Sequence, residues 1–126
     1  MKSRFHHIHL ICGALDEMQN FFIDVLGATL VTRLKFGDAD GVKLELGGVI
    51  INLRVPDEGE QIVSDGGTHF GYDHICLEVE DLEKTYGDLT KKGFVFLNPP
   101  MQSRKVKTAF FKGPEDITIE LLQVLG

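Results

Sequence analysis

Two stretches with the same apolar alternation, FHHIHLIC from Phe5 and YDHICLEV from Tyr72, organise the chain. Each places a histidine, His7 or His74, at the head of a run with apolar residues at every second position, the period of a half-buried strand. In the first, Ile8, Leu10 and Cys12 share one face, while His7, His9 and Ile11 share the other. In the second, Ile75, Leu77 and Val79 fall together, opposed by His74, Cys76, Glu78 and Glu80. One face of each strand packs; the other carries groups capable of chemistry. The separation of His7 from His74 recurs, to within a single residue, between Gly27 and Gly93 and between Asn52 and Glu120. The chain therefore reads as one module written twice, a duplicated domain rather than a solenoid.

Between these landmarks the period changes. After the first strand, GALDEMQNFFIDVLG sets Leu15, Met18, Phe22, Val25 and Leu26 at helical spacing, with Asp16 and Glu17 early and Gly27 as a stop. Three runs rich in β-formers follow, ATLVTRLKF, GVKLELG and GVIINLRV, broken by GDADG and by Gly47-Gly48, a tight hairpin turn. The first module is thus βαβββ, over about residues 4–56. Residues 57–71 are acidic, rich in glycine and without apolar periodicity, and read as a linker. The second module, over about residues 72–125, repeats the order. Its helix, DLEKTYGDLTKKG, has the stripe Leu82, Tyr86 and Leu89, Asp81 as N-cap and Gly93 as stop. FVFL, KVKTAFFKG and ITIELLQV supply its remaining strands, with turns at Asn98–Pro100 and Gly113–Asp116. At 126 residues the whole is one domain of the α+β class.

Composition narrows the partners. Hydrophobic residues at 43% and charged residues at 25% are ordinary for a globular chain. A formal net charge of −6 disfavours nucleic acid and anionic membranes, which are bound by surplus Lys and Arg. The basic run Arg104–Lys107 reads as a solvated strand edge. No apolar run approaches the ~20 residues of a membrane span, and the chain enters its first strand with no signal-like segment, so a cytoplasmic protein is expected. Cys12 and Cys76 lack a CxxC spacing and read as small hydrophobes, although Cys76 shares the face of His74.

The final strand sharpens the chemistry. In ITIELLQ, Glu120 stands on a strand that is otherwise almost wholly apolar, and a carboxylate in such a setting must be paired, hydrogen-bonded or bound to a cation. If the two modules build one curved sheet, equivalent strands carry His7, His74 and Glu120 on its inner face. Two imidazoles and one carboxylate suit a divalent first-row metal with positions left open. His9 shares the face of His7 and is a candidate acid/base group; Arg54 shares the face of Asn52 and is a candidate anchor for a substrate carboxylate or phosphate.

HIHLIC from His7, FFIDVLGATLVTR, YDHICLEVEDLE and FKGPEDITIELLQ, in this order and spacing, resemble the vicinal oxygen chelate superfamily, also known as the glyoxalase, bleomycin-resistance and extradiol dioxygenase group. The resemblance implies two tandem βαβββ modules curled into an open barrel around a central metal. By position it implies His7, His74 and Glu120 as ligands of one divalent ion (Zn, Ni, Co, Mn or Fe). The family's fourth position, Glu in glyoxalase I-like members and Gln in acyl-CoA epimerase-like ones, is Asn52 here, too short to replace either and unable to act as a carboxylate base. Asn52 is left as a fourth ligand, a group behind the ligands, or neither. Arg33, in the family's LVTR-like position, is a second candidate anchor.

The function implied is that of a metal-dependent lyase or isomerase of the glyoxalase I type, acting on a small substrate with vicinal oxygens, with Glu120 or His9 moving the proton. Two alternatives stand beside it. One is a two-His one-Glu site of the Fe(II) extradiol dioxygenase or fosfomycin-resistance transferase kind, and the other is a non-enzymatic drug-binding protein. The resemblance also implies a homodimer.

Overall fold

The computed structural model describes residues 1–2, 4–63, 65, 67 and 69–126. It divides into a unit over residues 1–64 and another over 65–126. Of the expected linker, Ser64, Gly66 and Thr68 lie outside the described residues, and the remainder of 57–71 carries no helix or strand. No helix among the described residues is long and apolar enough to cross a membrane.

The first unit is built from β1 (His7–Ile11), α1 (Leu15–Asn20), β2 (Thr29–Phe36), β3 (Ala39–Leu46) and β4 (Val49–Arg54). Its sheet has the order β1-β4-β3-β2, with β1 parallel to β4 and the other neighbours antiparallel. Gly47 and Gly48 (φ +59° and +85°) make the two-residue turn between Leu46 and Val49, a backbone shape that disfavours side chains carrying Cβ. The β2–β3 turn is shorter than GDADG suggests. Gly37 and Asp38 alone form it, and Ala39 already pairs with Phe36.

Helix α1 packs against β3 and β4. It buries Leu15 and Met18 on the face that also holds Val42, Leu44, Ile51 and Leu53. The expected helix does not run on unchanged: from Phe21 to Val25 it widens into a π-turn. The Leu26 amide donates to the Phe21 carbonyl at 3.2 Å, and the Ala28 amide to the Phe22 carbonyl at 2.8 Å. The wider turn lets two adjacent phenylalanines, Phe21 and Phe22, both be buried, which regular helical spacing does not favour.

The second unit repeats the plan with β5 (Ile75–Glu78), α2 (Leu82–Lys91), β6 (Met101–Ser103), β7 (Val106–Lys112) and β8 (Thr118–Val124), in the sheet order β5-β8-β7-β6. Asp81 caps α2 as expected, its carboxylate accepting from the Lys84 amide at 3.1 Å. The Leu82 amide donates to Gln123 Oε1 at 2.8 Å, which ties the helix start to β8.

One strand is not where the pattern put it. FVFL forms a single bridge, Phe96 to Phe111, and the edge strand is Met101–Ser103 instead. Aromatic packing explains the difference. Phe94 and Phe96 set their rings 5.6 and 5.0 Å from that of Phe111, and Tyr86 lies 4.7 Å from Phe96. The segment is therefore held by its rings, and the Leu97 amide (to the Phe110 carbonyl, 2.8 Å) and Asn98 Oδ1 (from the Phe110 amide, 3.2 Å) join it to β7.

Candidate functional site

In each unit the helix covers one face of the sheet, and the register determines what lies on the other. In the first unit His7 pairs with Ile50, His9 with Asn52 and Ile11 with Arg54; Asn52 in turn pairs with Lys43 and Arg54 with Gly41. Laterally paired residues point the same way, so His7, His9, Asn52 and Arg54 share the face away from α1.

The His7 and His9 ring centroids are 6.2 Å apart, and the Phe36 ring packs on His9 in a T-shaped arrangement with centroids 4.5 Å apart. Phe36 lies over Gly41, where a Cβ would strike its ring and also come within 2.7 Å of the Leu53 carbonyl. Partial burial lowers the pKa of His9, and the positive charge of Arg54 and the neighbouring His7 lower it further. His9 is thereby held as the neutral imidazole, able to accept a proton. His7 Nδ1 meets His6 Nδ1 at 2.8 Å.

Asn52 is 5% exposed, and its Oδ1 has no hydrogen-bond partner among the described residues. An acceptor left so is costly to bury and points to a donor or a cation supplied from outside the chain.

Arg54 is already engaged. Its guanidinium donates to both oxygens of Glu60, at 2.8 and 3.1 Å, with Asp57 3.6 Å away. Those bonds, with one from the Asp57 amide, hold the Glu60 carboxyl at a pKa of about 2. Arg33 is placed elsewhere. It pairs with Val42 on the helix-bearing face and bonds to Asp16 of α1 at 3.1 Å and to Gln19.

The second unit brings two of the expected groups together. Glu120, on β8, is flanked by Cys76 on β5 and Phe110 on β7. His74 lies two residues before Cys76 and on the same side. His74 Nε2 stands 3.1 Å from Glu120 Oε1, His74 Nδ1 stands 2.7 Å from Asp73 Oδ2, and the Phe110 ring abuts His74 edge-on at 5.3 Å.

Both ring nitrogens of His74 thus face carboxylates. A neutral imidazole has a single N–H, so one of the two contacts demands a further positive charge, either a second proton or a metal ion. Accordingly the pKa of His74 is raised, first by the Asp73 hydrogen bond and then by the charge of Glu120, against the opposing effect of burial. Burial, together with Glu120, pushes the Cys76 thiol up to about 11, so it is no nucleophile at neutral pH.

Among the described residues no group of three His, Cys, Asp or Glu is placed to bind a metal ion. The sequence reading passed over His6 and Asp73, the residues directly before the two site histidines. The signal was available, since a polar side chain able to bond to imidazole occupies that position in both copies.

The glyoxalase/bleomycin resistance protein/dioxygenase superfamily model matches residues 4–121. Among curated proteins, a probable lactoylglutathione lyase from Synechocystis sp. is 28% identical over 125 residues, covering 93% of this chain and 92% of the relative. Among solved structures, a glyoxylase/bleomycin resistance protein/dioxygenase domain from Frankia sp. superposes with a TM-score of 0.80 at 24% identity, covering 98% of this chain and 99% of the other. The fosfomycin resistance protein FosX from Listeria monocytogenes, complexed with Mn(II) and sulfate, superposes with a TM-score of 0.73 at 16% identity, covering 98% and 93%. With its duplicated βαβββ units and a family match spanning nearly its full length, this chain belongs to the glyoxalase/bleomycin resistance protein/dioxygenase superfamily.

Proposed function

We propose that the chain is a metal-dependent lyase or isomerase of the glyoxalase I type, acting on a small substrate with vicinal oxygens, with His7, His74 and Glu120 as the ligands of one divalent ion. The observation that carries the reading is the pairing of His74 Nε2 with Glu120 Oε1 at 3.1 Å while Asp73 occupies His74 Nδ1. With Nδ1 donating to Asp73, the facing atoms are both lone-pair donors, which fits a cation held between them. The orphaned Oδ1 of Asn52 fits the same demand. When bound, the ion supplies Lewis-acid stabilisation of the negative charge that develops on a substrate oxygen.

The chain's own groups do the remainder. His9, kept neutral by burial and by Arg54, receives a proton from the substrate carbon and returns it to the neighbouring one; Glu120 is the alternative proton carrier. Asn52 accepts a hydrogen bond from a substrate hydroxyl through Oδ1, or binds the ion with it. Arg54 anchors an anionic substrate only by giving up Glu60, and Arg33, on the helix-bearing face, takes no part. A homodimer is proposed on the family's habit.

The presence of an amide at position 52, where a second carboxylate would serve the lyase, favours one other reading. A two-His one-carboxylate site of the fosfomycin-resistance kind has a structural relative that binds Mn(II).

One experiment separates the two. Protein loaded in turn with Zn(II), Ni(II) and Mn(II) is assayed for lactoylglutathione formation from glutathione and methylglyoxal, and for fosfomycin consumption. Turnover of the first, abolished in His74→Ala and Glu120→Ala, supports the lyase. Turnover of fosfomycin alone moves the assignment to the resistance enzymes, and failure of any metal to bind overturns both.

A further inference from the structure

We propose that Asp73 and His6 are positioning residues, each holding a site histidine by Nδ1 so that Nε2 is the nitrogen offered to the metal. The inference rests on the metal reading above and adds to it residues outside the proposed ligand set. In both units the residue immediately before the site histidine turns its side chain onto that histidine's Nδ1. The contact is Asp73 Oδ2 to His74 at 2.7 Å in the second unit, and His6 Nδ1 to His7 at 2.8 Å in the first. The His6 and His7 rings meet edge-on, with centroids 5.1 Å apart at 80°. The two contacts use different chemistry, a carboxylate in one copy and an imidazole in the other. They reach the same atom from the same sequence position.

The consequence follows from proton counting. The Asp73 contact, at 2.7 Å the shorter of the two, draws the single proton of a neutral His74 to Nδ1; Nε2 then meets Glu120 Oε1 at 3.1 Å through a second proton or through a metal ion. In the first unit one of the two Nδ1 atoms donates to the other; with the proton on His7 Nδ1, the Nε2 lone pair of His7 is left free. A partner on the far nitrogen fixes the tautomer, orients the ring and makes the ligating nitrogen more basic, and its loss typically weakens metal binding by about 10–100-fold. Both partners here are exposed, which puts the effect toward the lower end of that range.

The test uses the full chain and the variants Asp73→Ala, Asp73→Asn and His6→Ala. Long-range 1H–15N NMR of the metal-free protein, at a pH well above histidine titration, reads the tautomers directly. The expected result is Nδ1–H for His7 and His74 in the unaltered chain, lost for His74 alone in Asp73→Ala and for His7 alone in His6→Ala. Competition against a chromophoric chelator then gives the Zn(II) affinity, expected to fall about tenfold or more in each alanine variant and to be partly restored in Asp73→Asn, whose amide oxygen still accepts. Tautomers that do not move in the alanine variants overturn the proposal, as do tautomers that move with no loss of Zn(II) affinity. Absence of Zn(II) binding by the unaltered chain is a different failure: it overturns the metal reading itself and this proposal with it.

Discussion

At the scale of single residues, Asn52 and His9 show function set against stability on neighbouring strands. Asn52 buries an acceptor with no donor among the described residues, a cost that a protein selected for stability alone would remove. Asn52→Leu, of similar shape, is therefore expected to stabilise the metal-free protein by about 1 kcal/mol, read as a higher urea midpoint at unchanged slope, and to weaken metal or substrate binding. A lower midpoint would mean that Oδ1 is satisfied in solution. His9 supplies the pH dependence. Its folded pKa lies below the ordinary 6.5, so between those two values the unfolded chain binds more protons than the folded one, and acidification through that window costs stability. His9→Gln removes this contribution. The variant is expected to lose less stability than the parent when the pH falls from neutral to below 6.5, measured by thermal midpoints across the range. His74, whose pKa is shifted the opposite way, is present in both proteins and drops out of the comparison.

At the scale of elements, the strands that position the site were legible because alternation and turn chemistry agreed. His7–Ile11 and Thr118–Val124 alternate across a sheet with one packed face, where a slip of one residue would expose the whole apolar set. Val49–Arg54, buried at Ile51, Asn52 and Leu53 alike, was marked by its β-formers and the Gly47-Gly48 turn. What escaped was non-local or broke the period. Counting by twos along β2 from Thr29, which pairs with Glu45, puts Arg33 on the site face. The bulge between Leu30 and Thr32 reverses that parity and delivers Arg33 to α1. The π-turn at Phe21–Val25 breaks the helical period in the same way. FVFL has every local mark of a strand, yet its rings gather on Phe111, a partner that alternation alone does not point to. That account predicts the behaviour of Phe111→Ala. The residue is fully buried, so the change should cost about 3–5 kcal/mol. Hydrogen exchange at the Leu97 amide, which bonds to the Phe110 carbonyl, should accelerate by more than exchange in the first unit. Equal acceleration throughout would instead mean that the two units unfold as one.

At the scale of the whole molecule, no group of three His, Cys, Asp or Glu is placed to bind a metal ion among the described residues, and the proposed ligands come from both units, His7 from the first and His74 and Glu120 from the second. If the proposed ligands act as one set, binding of a divalent ion must depend on residues from both copies of the duplicated plan. An ion that binds only the folded chain stabilises it by RT ln(1 + [L]/Kd), about 2.7 kcal/mol at a hundredfold excess over Kd. The thermal midpoint of the unaltered protein should therefore rise with added Zn(II) or Mn(II). His7→Ala, His74→Ala and Glu120→Ala should each remove most of that rise, while Arg33→Ala, whose partners are on α1, should leave it intact. The decisive member is His7→Ala. A bidentate site of His74 and Glu120 alone would keep its shift in that variant, and the ligand set would then have to be redrawn around the second unit. Loss of the shift, with the metal-free midpoint unchanged, would tie the first histidine strand to the same ion and make the duplication of the histidine strands itself the source of the metal centre.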